Sequence, residues 1–108
     1  MEFRHIRSFL SVAETLHFGR SARLLNLSQP ALSLQVKALE DELGIQLLSR
    51  NRQGTVLTEA GQAFREDAAG ALEKLEFAKR KAQWRQQANS AMFASALYQL
   101  PVLRSSRT

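Results

Sequence analysis

Residues 28–40 read SQPALSLQVKALE, and their spacing predicts a helix with one buried face. At 100° per residue, four apolar side chains form a single stripe: Leu32, Val36, Leu39 and Leu43. Ser28 is a good N-cap, and Pro30 falls in the first turn, where its missing amide hydrogen costs nothing. Gly44 is suited to a left-handed C-cap. Leu34 lies on the opposite face, where a solvated helix would carry a charge, so its presence there needs an explanation.

Length and composition restrict the class of protein. With 108 residues the chain forms one domain, or one small domain with an appended segment, and its 44% hydrophobic content is ordinary for a soluble protein. The absence of cysteine excludes disulfide scaffolds, thiolate metal sites and cysteine nucleophiles. The charged first ten residues do not form a secretory signal, and no uncharged apolar run approaches the roughly 18 residues of a membrane span. We therefore expect a cytoplasmic protein without membrane association.

The net charge of +5 is unevenly distributed along the chain. Residues 1–58 carry +2, residues 59–76 carry −3, and residues 77–108 carry +6 with no acidic side chain. Because most of the basic excess lies in the last third, the overall charge is weak support for nucleic-acid binding. The placement of individual basic residues has to decide that question.

Two further helices are predicted before residue 28. The first runs from Glu2 to Leu16 on an apolar stripe made of Ile6, Phe9, Leu10 and Ala13. Gly19 is expected to break the chain, and a short second helix ending near Asn26 places Ala22 and Leu25 on one face. Helices this close in sequence must turn sharply against each other.

The segment after the third helix predicts a β-hairpin and a long fourth helix. Short β-leaning runs at 46–49 and 55–57 flank a polar turn, with Arg50 and Arg52 near the hairpin tip. Thr58 is placed to cap the next helix. That helix carries a heptad seam made of Phe64, Ala68, Ala71, Leu75, Ala78 and Ala82. The seam predicts pairing with another helix; the alternative is that the helix folds back on its own domain.

Few residues support an enzyme. His5 and His17 are isolated from any nucleophile, carboxylate or metal-ligand spacing, and both fit ordinary surface or boundary positions. The five glycines are too scattered for a phosphate-binding loop. We therefore expect no catalytic residue, no cofactor and no metal site.

A short helix, a tight turn, a capped helix and an arginine-bearing hairpin together favour duplex DNA as the ligand. A helix fits the major groove, where its N-terminal side chains reach base edges while flanking elements hold phosphates. Gln29 can present an amide to adenine, Ser33 is a short donor or acceptor, and Lys37 can reach guanine or phosphate. Arg50 and Arg52 are placed to pair with phosphates or to enter a minor groove. Taken singly, each of these residues also fits an ordinary solvated surface.

Leu34 has two explanations. It fits burial against the hairpin or against a partner chain. It also fits contact with a thymine methyl group, which rewards an apolar side chain in the major groove. The second explanation makes Leu34 a candidate for specificity towards A·T pairs.

From Phe3 to about Gln83, the chain resembles the N-terminal winged helix-turn-helix domain and linker helix of LysR-type transcriptional regulators. The resemblance rests on SQPALS followed by LEDELG, LLSRNR and LTEAG at these separations. It implies a mainly α fold with three helices and a two-stranded wing, followed by a long linker helix. The implied segments are a winged domain at 1–58, with its helix-turn-helix at 18–37 and wing at 46–57, a linker and dimerisation helix at 59–87, and an atypical basic tail at 88–108. Some of this tail can extend the fourth helix, whereas Pro101 and the polar end favour fraying or disorder.

The resemblance also implies a function and the residues that carry it. It implies a dimeric, sequence-specific DNA binder of the bacterial nucleoid, with double-stranded operator DNA, a second copy of the chain and RNA polymerase as partners. The implied base-reading residues are Gln29, Pro30, Ser33 and Leu34. The implied contacts to the DNA backbone or groove are Arg20, Ser28, Lys37, Arg50 and Arg52. The heptad seam of the fourth helix would form the dimer or a higher homo-oligomer.

The chain departs from the family pattern at several points. Family members often carry a basic or polar residue in place of Leu34, and alanine is commoner in place of Ser21. They continue into an effector domain, whereas the segment after Gln83 does not resemble the start of one. We therefore expect a truncated or frame-shifted product or a fragment, with no small-molecule effector site. The alternatives are an interaction protein that forms mixed dimers with full-length regulators, and a non-functional gene remnant.

Overall fold

The computed structural model describes residues 1–98 of the chain. Within this range it has six elements: α1 Phe3–Thr15, α2 Phe18–Leu24, α3 Gln29–Leu43, β1 Leu48–Asn51, β2 Gly54–Leu57 and α4 Glu59–Tyr98. Met1–Glu73 forms one compact unit, and the described residues from Lys74 to Tyr98 belong to a second. No helix in residues 1–98 has both the length and the apolar character needed to cross a membrane. The mainly α fold with a two-stranded wing and a long fourth helix is therefore confirmed.

The core of the first unit lies where α1 packs against α3. Phe9 and Val12 of α1, with Leu32 and Leu39 of α3, have no exposed surface. Each such side chain contributes roughly 1.5–3 kcal/mol through its removal from water. The apolar stripes predicted for the two helices are thus the surfaces that meet, and the rest of each predicted stripe is buried or half-buried beside them: Ile6, Leu10, Ala13, Val36 and Leu43.

The turn between α1 and α2 differs from the prediction. The chain leaves α1 at Leu16, which adopts a left-handed conformation with φ 54°. His17 then caps α2, because its Nδ1 accepts a hydrogen bond from the Arg20 backbone amide at 2.9 Å. Gly19 lies inside α2, so the expectation that it breaks the chain was wrong. Because His17 is the N-cap, the helix begins at Phe18, one residue before Gly19.

A polar cluster joins α1 to α2 beneath this turn. The Ser21 side chain is completely buried, and its hydroxyl oxygen lies 2.7 Å from Thr15 Oγ1. Ser11 donates a further hydrogen bond to Ser21 Oγ at 3.0 Å. A buried hydroxyl costs little free energy when it is hydrogen-bonded in this way. The two partners on α1 therefore explain how this chain accommodates serine where the family that it resembles commonly has alanine.

Helix α3 begins and ends as its sequence predicts. The Ser28 hydroxyl accepts from the Ala31 backbone amide at 3.2 Å, and Gly44 adopts a left-handed conformation with φ 70°. Asn26 also has a left-handed backbone, with φ 56°, and it allows the tight turn between α2 and α3. The predicted helix-turn-helix at 18–37 thus falls on α2 and α3, and α3 itself continues to Leu43.

The wing is held to α3 by a carboxylate. Strands β1 and β2 are antiparallel, with Leu48 opposite Leu57 and Asn51 opposite Gly54. The first strand begins two residues later than the predicted run at 46–49. Glu40 of α3 explains the difference, because its Oε2 accepts from the backbone amides of Leu47 and Leu48 at 2.7 and 3.1 Å. These amides bind the helix and are not available to pair with a second strand.

Helix α4 starts against the same backbone. Thr58 Oγ1 accepts from the Gly61 amide at 2.9 Å and donates to the Gln46 carbonyl at 2.6 Å, which confirms Thr58 as the cap. Gly61 is buried, and a Cβ at this position would lie only 2.0 Å from the Leu47 carbonyl oxygen. Only glycine allows the helix to begin so close to the wing.

The far end of α4 reaches into the predicted tail. The helix continues to Tyr98, so 88–98 extends it, which was one of the two outcomes that the sequence left open for this segment. The segment 88–98 contains four alanines, one leucine and one methionine, which are good helix formers, and no glycine or proline. The remainder of the predicted tail, including Pro101, lies outside the described residues.

Candidate nucleic-acid interface

One face of α3 is left uncovered by the rest of the domain. The side chains of Gln29, Pro30 and Leu34 are exposed, and Ser33 is half-buried beside them. Leu34 is 68% exposed, so it is not buried against the hairpin. Pro30 and Leu34 lie opposite the buried stripe, Ser33 lies to one side of it, and Gln29 is exposed in the first turn, so all four are in the N-terminal half of the helix. A helix with this arrangement can enter a major groove with its first turns leading.

The start of α3 approaches the start of α2 closely. A Cβ at Gly19 would lie 3.5 Å from Gln29 Oε1 and 3.1 Å from His17 Cε1. An added side chain would therefore press on the His17 ring, whereas its contact with Gln29 would be an ordinary van der Waals contact. Ser28 is exposed, but its hydroxyl oxygen already accepts the cap hydrogen bond. It can still donate its own hydrogen to a phosphate.

Two basic residues predicted to meet DNA are exposed on the helix-turn-helix. Arg20 is on α2, and Lys37 is one turn beyond Ser33 on α3. Lys37 Nζ lies 3.4 Å from Asp41 Oδ1, with both side chains about two-thirds exposed, at 68% and 66%. A surface pair of this kind is worth little, so the ammonium remains available to a phosphate.

The arginines of the wing have different surroundings. Arg52 lies in the turn between β1 and β2, is exposed, and makes no hydrogen bond or ion pair with any residue from 1 to 98. Arg50 is in β1, and its Cζ lies 4.0 Å from the centroid of the Phe18 ring. Its Nη2 also donates a long hydrogen bond, 3.4 Å, to Ser33 Oγ. Both arginines were predicted to contact DNA. Of the two, only Arg52 has a guanidinium without a partner among residues 1–98.

Phe18, His17 and Glu40 contribute to this surface although the sequence did not single them out for it. Phe18 is 8% exposed and carries the Arg50 guanidinium, while Glu40 fixes the wing to α3. Sequence spacing could not indicate the Phe18 to Arg50 contact, because the two residues are far apart in the chain. The His17 cap has a local signal, since a polar side chain precedes the first residue of α2.

The heptad seam of α4 divides into two parts. Phe64 packs on Phe9 in an edge-to-face contact, with ring centroids 5.7 Å apart and an interplanar angle of 65°. Phe64 therefore belongs to the core of its own domain and does not begin a free seam. The residues that follow it are half-buried or exposed: Ala68, Ala71, Leu75, Ala78 and Ala82. Leu75 is 46% exposed.

Comparison with known proteins matches the region that contains this surface to bacterial regulatory proteins. Residues 3–62 match the family model of the bacterial regulatory helix-turn-helix protein, lysR family. The chain is 46% identical over 83 residues to the uncharacterized HTH-type transcriptional regulator YnfL of Escherichia coli K12. That alignment covers 77% of this chain and 28% of YnfL, so the chain spans little more than a quarter of that relative's length.

Solved structures give the same result for the fold. Full-length CbnR in complex with its target DNA superimposes with a TM-score of 0.71 at 41% identity, covering 77% of this chain and 29% of CbnR. The BenM DNA-binding domain in complex with catB site 1 DNA superimposes with a TM-score of 0.76 at 36% identity, covering 80% of this chain and 97% of that domain. This chain belongs to the LysR family of bacterial helix-turn-helix transcriptional regulators.

Proposed function

We propose that this chain binds double-stranded DNA in a sequence-dependent manner, with the exposed face of α3 in the major groove. One observation carries the proposal: the first turns of α3 leave the polar side chain of Gln29 and the apolar side chains of Pro30 and Leu34 exposed together at the start of a capped helix. The matched structures of CbnR and BenM contain DNA, which supports the same use of this fold.

Three residues on the exposed face of α3 differ in their chemistry towards bases. The Gln29 amide can donate and accept together, which suits the N6 and N7 atoms of adenine. Leu34 offers only apolar contact, which suits a thymine methyl group. Pro30 cannot donate from its backbone and keeps the first turn compact. Together these residues favour a half-site that contains A·T pairs.

The charged residues around this face would hold the DNA backbone. Arg20, Lys37 and Arg52 are exposed cations on three separate elements, α2, α3 and the wing turn. Each phosphate contact releases condensed counterions, so binding should weaken as salt rises. Ser28 can add a hydrogen bond from its hydroxyl. These contacts would fix the register of the helix without reading sequence.

We further propose that the protein acts as a dimer through the seam on α4. Its small alanines would allow close approach of a second helix, and Leu75 supplies a large apolar side chain that is 46% exposed in the single chain. Two copies would then place two α3 helices in successive major grooves of a partly palindromic site. Such binding would keep the protein at the bacterial nucleoid. Contact with RNA polymerase, which the family resemblance implied, stays a prediction.

Selection of bound duplexes from a random pool, combined with sedimentation of the protein, tests this proposal. We expect enriched sites with A·T-containing half-sites whose centres lie about 10 base pairs, or a multiple of it, apart. Sedimentation should give the mass of a dimer. Folded protein that binds no duplex at low salt would refute DNA binding. Enrichment of single half-sites by a monomer would refute only the dimer.

The exposed seam also favours a second candidate function. The chain spans 28% of YnfL, and its α4 seam would fit the corresponding helix of a longer relative. The chain would then form mixed dimers and remove a full-length regulator from its operator. Co-purification with such a regulator, together with loss of that regulator's DNA binding, would support this function. DNA binding by the chain alone at physiological salt, with no effect on the regulator, would contradict it.

A further inference from the structure

The side chain of Arg50, a wing residue, contacts both helices of the helix-turn-helix. Its guanidinium lies over the Phe18 ring at 4.0 Å, and it donates to Ser33 Oγ at 3.4 Å. Phe18 is the first residue of α2 and belongs to the hydrophobic core, so it is a fixed support for the guanidinium. An arginine that makes these contacts is oriented by the protein before any DNA arrives.

The strand that carries Arg50 is also fixed. Arg50 pairs with Thr55 across the sheet, and the first residue of the strand, Leu48, is buried. The amide of Leu48 donates to Glu40 of α3 at 3.1 Å. The backbone of the wing is therefore tied to the helix whose Ser33 receives the Arg50 hydrogen bond. Both ends of the Arg50 side chain are held to the same rigid body.

The hydrogen bond from Arg50 restricts what Ser33 can do. A hydroxyl has one hydrogen to donate and two lone pairs to accept with. Arg50 occupies one lone pair, and its positive charge opposes the approach of a second donor to the same oxygen. With this oxygen facing the guanidinium, the Ser33 hydrogen points away from Arg50 and can be donated to a ligand. The Ser33 hydroxyl is therefore oriented to donate a hydrogen bond.

We propose that Arg50 is a positioning residue for base recognition: it holds Ser33 as a donor and so selects a base acceptor at the position that Ser33 reads. Such acceptors in the major groove are guanine N7 and O6, adenine N7 and thymine O4, whereas cytosine N4 is a donor and is disfavoured. This assignment rests on the proposed DNA binding. It departs from the role in phosphate or groove contact that the sequence implied for Arg50.

The experiment compares selected DNA sites and salt dependence among variants of the full chain. The Ser33→Ala variant first identifies the base position that loses its preference. Arg50→Ala should then relax that same position, admitting cytosine, with a two- to tenfold loss of discrimination, as expected for one hydrogen bond. Its slope of log affinity against log salt should match that of the wild type, because no phosphate contact is removed.

Two further variants control for charge and folding. Arg50→Lys keeps the charge but lacks the planar, rigid fork of donors, so it should relax the same position and leave the slope unchanged. Arg52→Ala is the matched wing control, and it should lower the slope by about 0.9 while every base preference remains. Circular dichroism of each variant confirms that the helices are intact.

The outcomes separate this proposal from the proposed function. If the wild type binds DNA and Arg50→Ala lowers the salt slope as Arg52→Ala does, with the Ser33 position still selective, Arg50 is a phosphate contact and the inference is wrong. Full discrimination in Arg50→Lys would also overturn it, since charge alone would then suffice. Folded wild type that binds no duplex at low salt would refute DNA binding itself and this inference with it.

Discussion

Replacing Gly61 by alanine should destabilise the domain, although alanine is by far the better helix former. Gly61 lies in the first turn of α4, where its amide donates to Thr58 Oγ1 at 2.9 Å. An added Cβ would lie 2.0 Å from the Leu47 carbonyl oxygen, 2.9 Å from the Leu47 carbonyl carbon and 3.0 Å from Leu57 Cδ2. Two of these three atoms are backbone, so rotation of a side chain cannot relieve the clash.

The magnitude follows from three effects on the free energy of unfolding. Overpacking of a tight site costs about 1–3 kcal/mol. Moving the first turn of α4 away from Leu47 also weakens the Thr58 cap, and loss of a cap costs about 1 kcal/mol. The higher helix propensity of alanine returns about 1 kcal/mol. The steric term dominates, and we expect a net loss of about 2 kcal/mol.

Urea unfolding followed by far-ultraviolet circular dichroism measures the difference. Gly70→Ala is the matched control, because Gly70 lies in the same helix and an added Cβ there meets nothing within 4 Å. It should stabilise the protein by about 0.4–1 kcal/mol. The reasoning is refuted if Gly61→Ala is as stable as the wild type, or if both variants change stability in the same direction.

Three other predictions concern DNA recognition and assembly. Leu34→Arg should raise affinity for all duplexes and shift base preference away from A·T, and an unchanged preferred site in the selection would show that Leu34 reads no base. Gln29→Ala should lose adenine preference at one position by roughly 1–3 kcal/mol, measured by competition with substituted sites; equal loss at every site would contradict base reading. Leu75→Asp should convert the dimer to a monomer in sedimentation, whereas Ala69→Asp, on the opposite side of α4, should not; a dimer in both variants would exclude the seam.

Several features of the fold could be predicted because their causes are local. The Ser28 cap and the left-handed Gly44 depend on residues within one turn of the helix end. The buried stripe of α3 depends only on a helical period, and Leu32 and Leu39 indeed have no exposed surface. Leu34 is identified as exposed by the same periodicity. The choice between burial against the hairpin and exposure, however, required the position of the wing.

Other features depend on contacts between distant parts of the chain. Arg50 and Arg52 are equivalent in sequence, yet only Arg50 meets an aromatic ring and a hydroxyl from other elements. Phe64 fits the heptad seam by spacing, but its ring packs edge-to-face on Phe9 in the core. This contact occupies the apolar surface that a partner helix would need. In the sequence, Glu40 is one of several acidic residues near the end of a helix. Its hydrogen bonds to the wing depend on where the wing backbone lies.

The sequence by itself determined the order and type of the elements, the caps of α3 and α4, the buried faces and the family. These follow from periodicity, propensity and turn chemistry, which act over a few residues. Only the tertiary structure decided which side chains of the recognition surface are free to meet DNA and which are occupied by the protein. That division depends on distances between residues far apart in the chain, and such distances are set when α1, α3 and the wing pack around one core.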